Sequence, residues 1–396
     1  MIGTRVDDVD GPRLIRSKFG WWFIGNQTWT LLAADAVLHD GSLCGEAAEF
    51  LRGTRAFNPI EPRAYELTVL TSTDCNLGCA YCYQNKVLDS SGGHRPVRID
   101  RNVLSPLTIK KIQRFAEKKM NEANLKDLFL VLFGGEPLLN AKGCRGLLQS
   151  LRSVGLKTAS IVTNGVLLMP ELAVALQTDG LANVQITLDG SRSDHNKIRL
   201  FRSGAATYDI ILRNVARSMD ITQLAWQFRV NVSHHNFQQI DLIFRELMDA
   251  GIVPSKCTML FAWVGDKGLG YNNLLGFSKT VRDAFVEWSI AALKCGFLVP
   301  RPSMKRLCQT CSKAGGRHGA VVNSDGKLYS CWQSAGKVGF EVGDVENGFD
   351  TLTETRDRWV SCGYEFRQQN RGLFEDFHDE VDGRFLDYLH ENGLLQ

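Results

Sequence analysis

Three cysteines in the run Cys75-Asn-Leu-Gly-Cys79-Ala-Tyr81-Cys82 are the residues of this chain best placed to do chemistry. The C-x3-C-x2-C spacing puts three thiolates on one tight loop, and thiolates are the usual ligands of iron–sulfur clusters. Three ligands on a four-cornered [4Fe–4S] cube leave one iron open to a substrate or cofactor, as a position is left open at catalytic zinc. A zinc site is the alternative, with His94 the nearest downstream fourth ligand. Three further segments combine glycine with polar groups: Gly134-Gly135-Glu136-Pro137, Thr163-Asn164-Gly165 and Leu188-Asp189-Gly190. Glycine lets a ligand approach the backbone closely, and a carboxylate suits an ammonium group.

These groups need a scaffold, and the sequence supplies one. Short runs at 65–71, 128–133, 158–163, 183–188, 227–232 and 257–263 are rich in Val, Ile, Leu, Thr and Phe, as strands buried on both faces would be. Amphipathic segments at 107–120, 142–153, 207–219 and 236–250 alternate with them; in the last, Ile240, Ile243, Phe244 and Leu247 fall at helical spacing. Strands alternating with helices predict an α/β chain with a parallel sheet, here a partial (β/α)6 barrel of TIM type. Chemistry in such sheets sits at the C-terminal strand ends. The cysteines and all three glycine segments follow directly on predicted strands. Polar loops at 84–103 and 264–276 flank that face, and long loops often serve as lids.

After a helix predicted at 277–296 the pattern changes. Residues 319–331 read as a hairpin turning at Asp325-Gly326, and the last 25 residues predict one amphipathic closing helix. The first 60 residues, with FGWWFIGNQTWTLL and a short helix at 43–53, suit either a peptide-recognition cap or a strand and helices closing the barrel. The expected division is a cap at 1–62, the barrel at 63–298 and a small auxiliary domain at 299–396.

C-x3-C-x-Tyr-C after a first strand resembles the radical S-adenosylmethionine (SAM) enzymes. The resemblance covers about residues 65–340. It implies a SAM-binding [4Fe–4S] cluster on Cys75, Cys79 and Cys82, and cleavage of SAM to methionine and a 5′-deoxyadenosyl radical that abstracts a hydrogen from the substrate. It implies that Gly134, Gly135 and Glu136 meet the SAM amino group, that Thr163 and Asn164 lie near SAM, and that Asp189 meets the ribose. Tyr81 is the aromatic near the adenine. Asp189, with His195, Asn196 and Arg199, resembles a motif of one subgroup, in which Arg199 would pair with the methionine carboxylate. This chain has Asn196 where that subgroup has Asp. Arg229-Val-Asn231-Val matches the same subgroup's fifth strand.

Cys308-x2-Cys311, followed by Cys331, resembles the first half of the SPASM extension of peptide-modifying members. The dense second half is missing, and only Cys362 follows. The shorter twitch relative implies one auxiliary [4Fe–4S] cluster on Cys308, Cys311 and Cys331, with Cys362 as fourth ligand or an iron open to substrate; a zinc site has the same spacing. Cys44, Cys144, Cys257 and Cys295 read as structural, and His234-His235 as solvated or core.

The remaining arithmetic sets bounds. The chain has 396 residues, 46 Lys+Arg against 43 Asp+Glu and a net charge of +3, which argues against a polyanion binder. Apolar residues make up 44% and exclude wholesale disorder. No apolar run reaches the ~18 residues of a membrane span. The charged start carries no signal-peptide core, so a cytoplasmic setting is expected, where clustered cysteines suggest metal or catalysis rather than disulfides. The resemblance implies an oxidative peptide maturase: a thioether, C–C or C–O crosslink in a ribosomally made precursor peptide, with an external donor of flavodoxin or ferredoxin type. Sulfatase-maturase-like Ser/Cys oxidation and a twitch-domain small-molecule dehydrogenase are the rivals. A non-catalytic zinc or iron–sulfur binding protein is the reading from another class.

Overall fold

The structure, a computed structural model, describes residues 11–54, 56–58, 61–79, 81–82, 84, 99–265, 273–304, 310, 315–360 and 368–395. It opens with three antiparallel strands, β1 (Arg13–Ser17), β2 (Gly20–Gly25) and β3 (Thr28–Leu32), and α1 (Gly45–Arg52). Then six parallel strands follow in spatial order: β4 (Ala64–Ser72), β5 (Asp127–Gly134), β6 (Leu156–Thr163), β7 (Leu181–Leu188), β8 (Ala225–Val232) and β9 (Cys257–Trp263). Helices α2 (Pro106–Ala123), α3 (Ala141–Leu151), α4 (Pro170–Thr178), α5 (Arg192–Ile198), α6 (Tyr208–Ile221) and α7 (Leu242–Asp249) connect them. This is the α/β parallel barrel arrangement expected, with every barrel strand found where its apolar run lies.

Alternation along the strands explains both faces of the sheet. Leu67 and Val69, Leu130 and Leu132, Ile161, Val184 and Ile186, and Phe228 and Val230 are buried in the layer beneath the helices. The intervening residues point inward, where Gln185, Thr187, Arg229 and Asn231 line a cavity. The strands are therefore not uniformly apolar as the sequence suggested, because their inward residues line a cavity rather than a packed core. The helix expected at 236–250 starts late. The Asn236 side chain accepts from Ser233 N (2.8 Å) and donates to Asn231 O (2.7 Å), so it closes a turn rather than entering a helix.

After α8 (Lys279–Lys294), β10 (Gly319–Val322) and β11 (Lys327–Tyr329) form the expected hairpin. It does not stand apart. β10 pairs in parallel with β4, Val321 opposite Thr68, and with β12 (Gly343–Asp344) and β13 (Gly348–Phe349) it extends the barrel sheet to ten strands. A short α9 (Leu352–Thr355) precedes the closing helix α10 (Gln368–Glu391).

The N-terminal sheet docks on α10. Trp22 Nε1 donates to Asp387 Oδ1 (2.8 Å), and Arg13 donates to Asp382 Oδ2 (2.7 Å) and Asp379 Oδ1 (2.5 Å). Ile15, Trp22 and Ile24 pack with Phe385, Leu386 and Leu389. The two ends of the chain thus share one small core, and α10 carries its Asp379 and Asp382 to the rim of the barrel cavity.

Candidate active site

The loop after β4 carries Cys75, Cys79 and Cys82, none of them in a disulfide and all lining the cavity. Its backbone is tied to the stretch after α5: Gly78 N donates to Leu200 O (3.0 Å) and Arg202 N to Asn76 O (3.2 Å). Arg202 also pairs with Asp74 at 2.9 Å. Leu77 N donates to Cys75 Sγ (3.4 Å), and Asn164 Nδ2 lies 3.9 Å from the same sulfur. N–H groups aimed at a sulfur are the contacts that tune a metal-bound thiolate. Burial pushes the Cys75 thiol up and the Cys79 thiol up to about 12, with the Arg199 charge opposing the shift at Cys79. A metal must therefore displace protons to bind here. Among the described residues no three His, Cys, Asp or Glu side chains converge on one metal-ion position. His94 lies outside the described residues.

Glu136 is fully buried. Its Oε1 accepts from Leu138 N (3.0 Å) and Thr163 Oγ1 (2.7 Å), and its Oε2 from Asn164 N (2.8 Å). Burial raises its pKa although all three donors oppose the shift. Asn164 in turn donates to Asn76 Oδ1 (2.8 Å) in the cysteine loop. The carboxylate thus braces the end of β6, and through it the loop. Gly134 and Gly135, not Glu136, line the cavity. A Cβ on Gly134, at φ +141°, would stand 2.1 Å from Ser72 O, and one on Gly135 2.4 Å from Asp74 O. Only glycine lets this segment lie against the cysteine loop. Glu136→Gln would set an amide N–H₂ against one of three donors. We expect a loss of about 1–3 kcal/mol, read from urea denaturation of the metal-free protein.

A second network holds the residues after β7. Tyr81 donates its hydroxyl hydrogen to Asp189 Oδ1 (2.9 Å) and accepts from Arg199 Nη1 (2.8 Å) and Asn231 Nδ2 (3.0 Å). Arg199 Nη1 lies 4.0 Å from Asp189 Oδ1. Burial lifts Asp189 to about 6, against the pull of Arg199, Tyr81 and Arg229. His195 is fully buried, and burial and the Arg199 charge hold its pKa well below the usual value. Its Nδ1 accepts from Asp189 N (3.3 Å), which leaves Nε2–H to meet Thr207 Oγ1 (3.1 Å), and Thr207 donates to Arg199 O (2.6 Å). Neutral His195 is therefore a strut between Asp189 and Arg199. Asn196 Oδ1 accepts from Thr207 N and Tyr208 N, both at 3.1 Å, and caps α6.

The three cysteines, Tyr81, Gly134, Gly135, Thr163, Asn164, Arg199 and Asn231 line one cavity of about 890 Å³, with Glu136, Asp189 and His195 buried behind its wall. The residues present fit a cluster and SAM. Three soft donors share one end, beside the backbone of Gly134 and Gly135. Arg199 Nε is buried without a partner at the wall, a place for a carboxylate. Cys331 lines the same cavity, while Cys308, Cys311 and Cys362 lie outside the described residues, as do most of the loops expected as lids. Cys144 and Cys257 are fully buried, Cys44 precedes α1 and Cys295 ends α8. His234 and His235 are not on the wall: His234 Nδ1 accepts from Leu274 N (3.1 Å) and pins the segment after β9. Sequence reasoning missed Gln185 and Thr187, which polar residues at every second position of β7 could have revealed. It also missed Arg13, Asp379 and Asp382, for which no local signal exists.

Residues 69–247 match the Radical SAM superfamily. Among curated proteins, the chain is 25% identical over 330 residues to the radical SAM cyclopropyl synthase TigE of Paramaledivibacter caminithermalis, covering 74% of this chain and 62% of that one. The chain thus spans less than two thirds of that relative. It is 25% identical over 284 residues to GTP 3′,8-cyclase of Alkaliphilus metalliredigens, covering 66% of this chain and 78% of that one. Among solved structures, native anSMEcpe with bound AdoMet superposes with a TM-score of 0.61 at 16% identity, covering 82% of this chain and 99% of that one, a likeness of fold. The superfamily match falls on the strands and loops that carry the three cysteines, the glycine segments and the Asp189–Arg199 network, and residues 69–247 form a radical SAM domain.

Proposed function

We propose that the chain is a peptide maturase that uses radical chemistry to install an oxidative crosslink, a thioether, C–C or C–O bond, in a ribosomally made precursor peptide. Cys75, Cys79 and Cys82 would hold the cluster, which with bound SAM would supply the one-electron chemistry that removes a hydrogen atom from the substrate. The chain's own residues do the rest. Gly134, Gly135, Thr163 and Asn164 receive the methionine end, Arg199 takes its carboxylate, and Asp189 and Tyr81 stand by the ribose and adenine.

The observation that carries the reading is the far part of the cavity. The whole cavity, at about 890 Å³, lies near the top of the roughly 300–1,000 Å³ usual for small-ligand sites, which leaves room beyond SAM for a second molecule. The wall there is aromatic and acidic: Phe133, Trp332, Trp263 and Phe374, then Glu375, Asp379 and Asp382. Arg13 is committed to two of those acids, Arg199 to Tyr81 and Asp189, and Arg229 Nε to Asn231 (3.0 Å). Arg13 neutralises Asp379 and Asp382, so this wall carries little net charge, and its aromatic rings suit apolar side chains better than a nucleoside triphosphate. A peptide presenting apolar side chains suits the wall. The solved relative anSMEcpe with AdoMet and the Cp18Cys peptide, TM-score 0.58 at 17% identity, has a peptide bound in the same fold.

In this reading Cys308, Cys311, Cys331 and Cys362 hold one auxiliary [4Fe–4S] cluster of twitch type in a domain at 299–396, which accepts the electron left on the product. A flavodoxin- or ferredoxin-type protein supplies the starting electron, and 1–62 serves as a cap on the barrel at 63–298. The test is product analysis. Anaerobic protein with SAM, a reductant and peptides encoded beside its gene should yield 5′-deoxyadenosine and a peptide lighter by two hydrogens. Consumption of GTP with no change in any peptide would replace this reading with a nucleotide cyclase.

A further inference from the structure

Among the described residues, three buried side-chain polar atoms without a partner belong to residues of the cavity wall: Arg199 Nε, Gln84 Nε2 and Gln333 Oε1. Arg199 belongs with the cofactor end. The two glutamines have no such assignment. Gln84 follows the third cysteine and is only 7% exposed, and Gln333 lies in the turn after Cys331. Each unsatisfied amide atom costs the free protein about 1–3 kcal/mol, and buried polar groups are almost always satisfied in native proteins. Other unpartnered buried atoms among the described residues lie away from the cavity, and the placing of these two glutamines on one wall points to a ligand that completes them.

Resting on the peptide reading above, we propose that Gln84 and Gln333 clamp the main chain of the substrate: Gln84 Nε2 donates to a peptide C=O, and Gln333 Oε1 accepts from a peptide N–H. A main-chain amide carries one acceptor and one donor, the complement of the two orphaned atoms. Recognition of this kind is indifferent to side chains. It holds the strand while Trp332, whose ring packs at a tilt against Phe133 with centroids 4.9 Å apart, takes up an apolar side chain. The clamp joins the cysteine loop to the turn after Cys331, so a peptide held by both lies across the space between them.

The probe is a randomised N-acetyl heptapeptide-amide library, offered to the anaerobic holoenzyme with SAM; retained members are counted by mass spectrometry after size separation. Gln84→Met and Gln333→Met keep side-chain length and remove the orphaned atoms. Both variants should melt no lower than wild type, because an unsatisfied polar group has been exchanged for an apolar one, yet retain peptides about tenfold more weakly, near 1.4 kcal/mol each. An N-methylated library should bind wild type about tenfold more weakly, and Gln333→Met no more weakly than the plain library, since the N–H that Gln333 reads is already gone. Equal retention by wild type and both variants would overturn the clamp and leave the peptide reading standing. Wild type that retains no peptide would overturn both.

Discussion

Replacing Arg199 with Met should cost the free protein about 3–5 kcal/mol, the penalty for breaking one side of a buried ion pair, and weaken SAM binding by about 100-fold. Arg199 is 8% exposed and Asp189 1%. Beside Asp189 the arginine supplies the nearest positive charge, with Arg229 contributing. Removing it strands a carboxylate whose pKa burial has already lifted to about 6. A carboxyl titrating near 3.9 when unfolded and near 6 when folded binds its proton more readily in the native state. Its contribution is therefore favourable at low pH and is lost as pH rises through the folded value. Without Arg199 the folded value climbs further. The variant should be close to wild type at pH 5 and fall behind steeply by pH 8. The double variant Asp189→Asn/Arg199→Met should recover most of the stability but none of the SAM affinity, since the orphaned Nε remains absent. Urea denaturation of the metal-free protein across that range checks the first part, and equilibrium dialysis of labelled SAM against the reconstituted protein the second. A pH-independent loss would show that Asp189 is not the group left behind.

The parts of this site that were legible in the sequence are those set by local rules. The barrel strands are read from β-branched and apolar runs, and cysteines spaced to share one loop lie on one loop. Glycines that follow strands prove to be glycines because the backbone of Ser72 and Asp74 leaves no room for a Cβ. What the sequence hid are relations between distant segments. Glu136, read as a partner for an ammonium group, spends its carboxylate on Leu138, Thr163 and Asn164, and nothing local distinguishes a brace from a ligand contact. Tyr81 is recognisable in the sequence by its aromatic ring, whereas its hydroxyl is the junction of Asp189 after β7, Arg199 after α5 and Asn231 in β8. The tryptophan-rich start gave no hint that Trp22 seeks Asp387, 365 positions away. The hairpin at 319–331 was legible as a hairpin, but its parallel pairing with β4 depends on a strand about 250 residues earlier that offers a free edge.

The second prediction concerns how many clusters the chain holds. The triple variant Cys75→Ala/Cys79→Ala/Cys82→Ala should lose all release of 5′-deoxyadenosine, while iron and sulfide fall from about eight of each per chain to about four of each, the content of one cube. The fold should survive, because these thiols sit on a loop fixed by backbone hydrogen bonds to Leu200 and Arg202, and a buried thiol packs as a small apolar group. Retained iron would have few places to go. Of the eleven cysteines, three are gone. Cys144 donates to Pro137 O (3.3 Å) and is closed off in the core, and Cys257 begins a central-sheet strand, both fully buried. Cys44 and Cys295 bracket α1 and α8 on their own. None of the four lines the cavity. That leaves Cys308, Cys311, Cys331 and Cys362, and Cys331 faces the same cavity as the lost triad, where an auxiliary cluster could exchange electrons with a product held between them. If the variant instead retains zinc and no iron, these four cysteines form a structural zinc site. The enzyme would then have a single cluster and no internal acceptor for the second electron, and a redox-neutral rearrangement would replace oxidative crosslinking as the reaction.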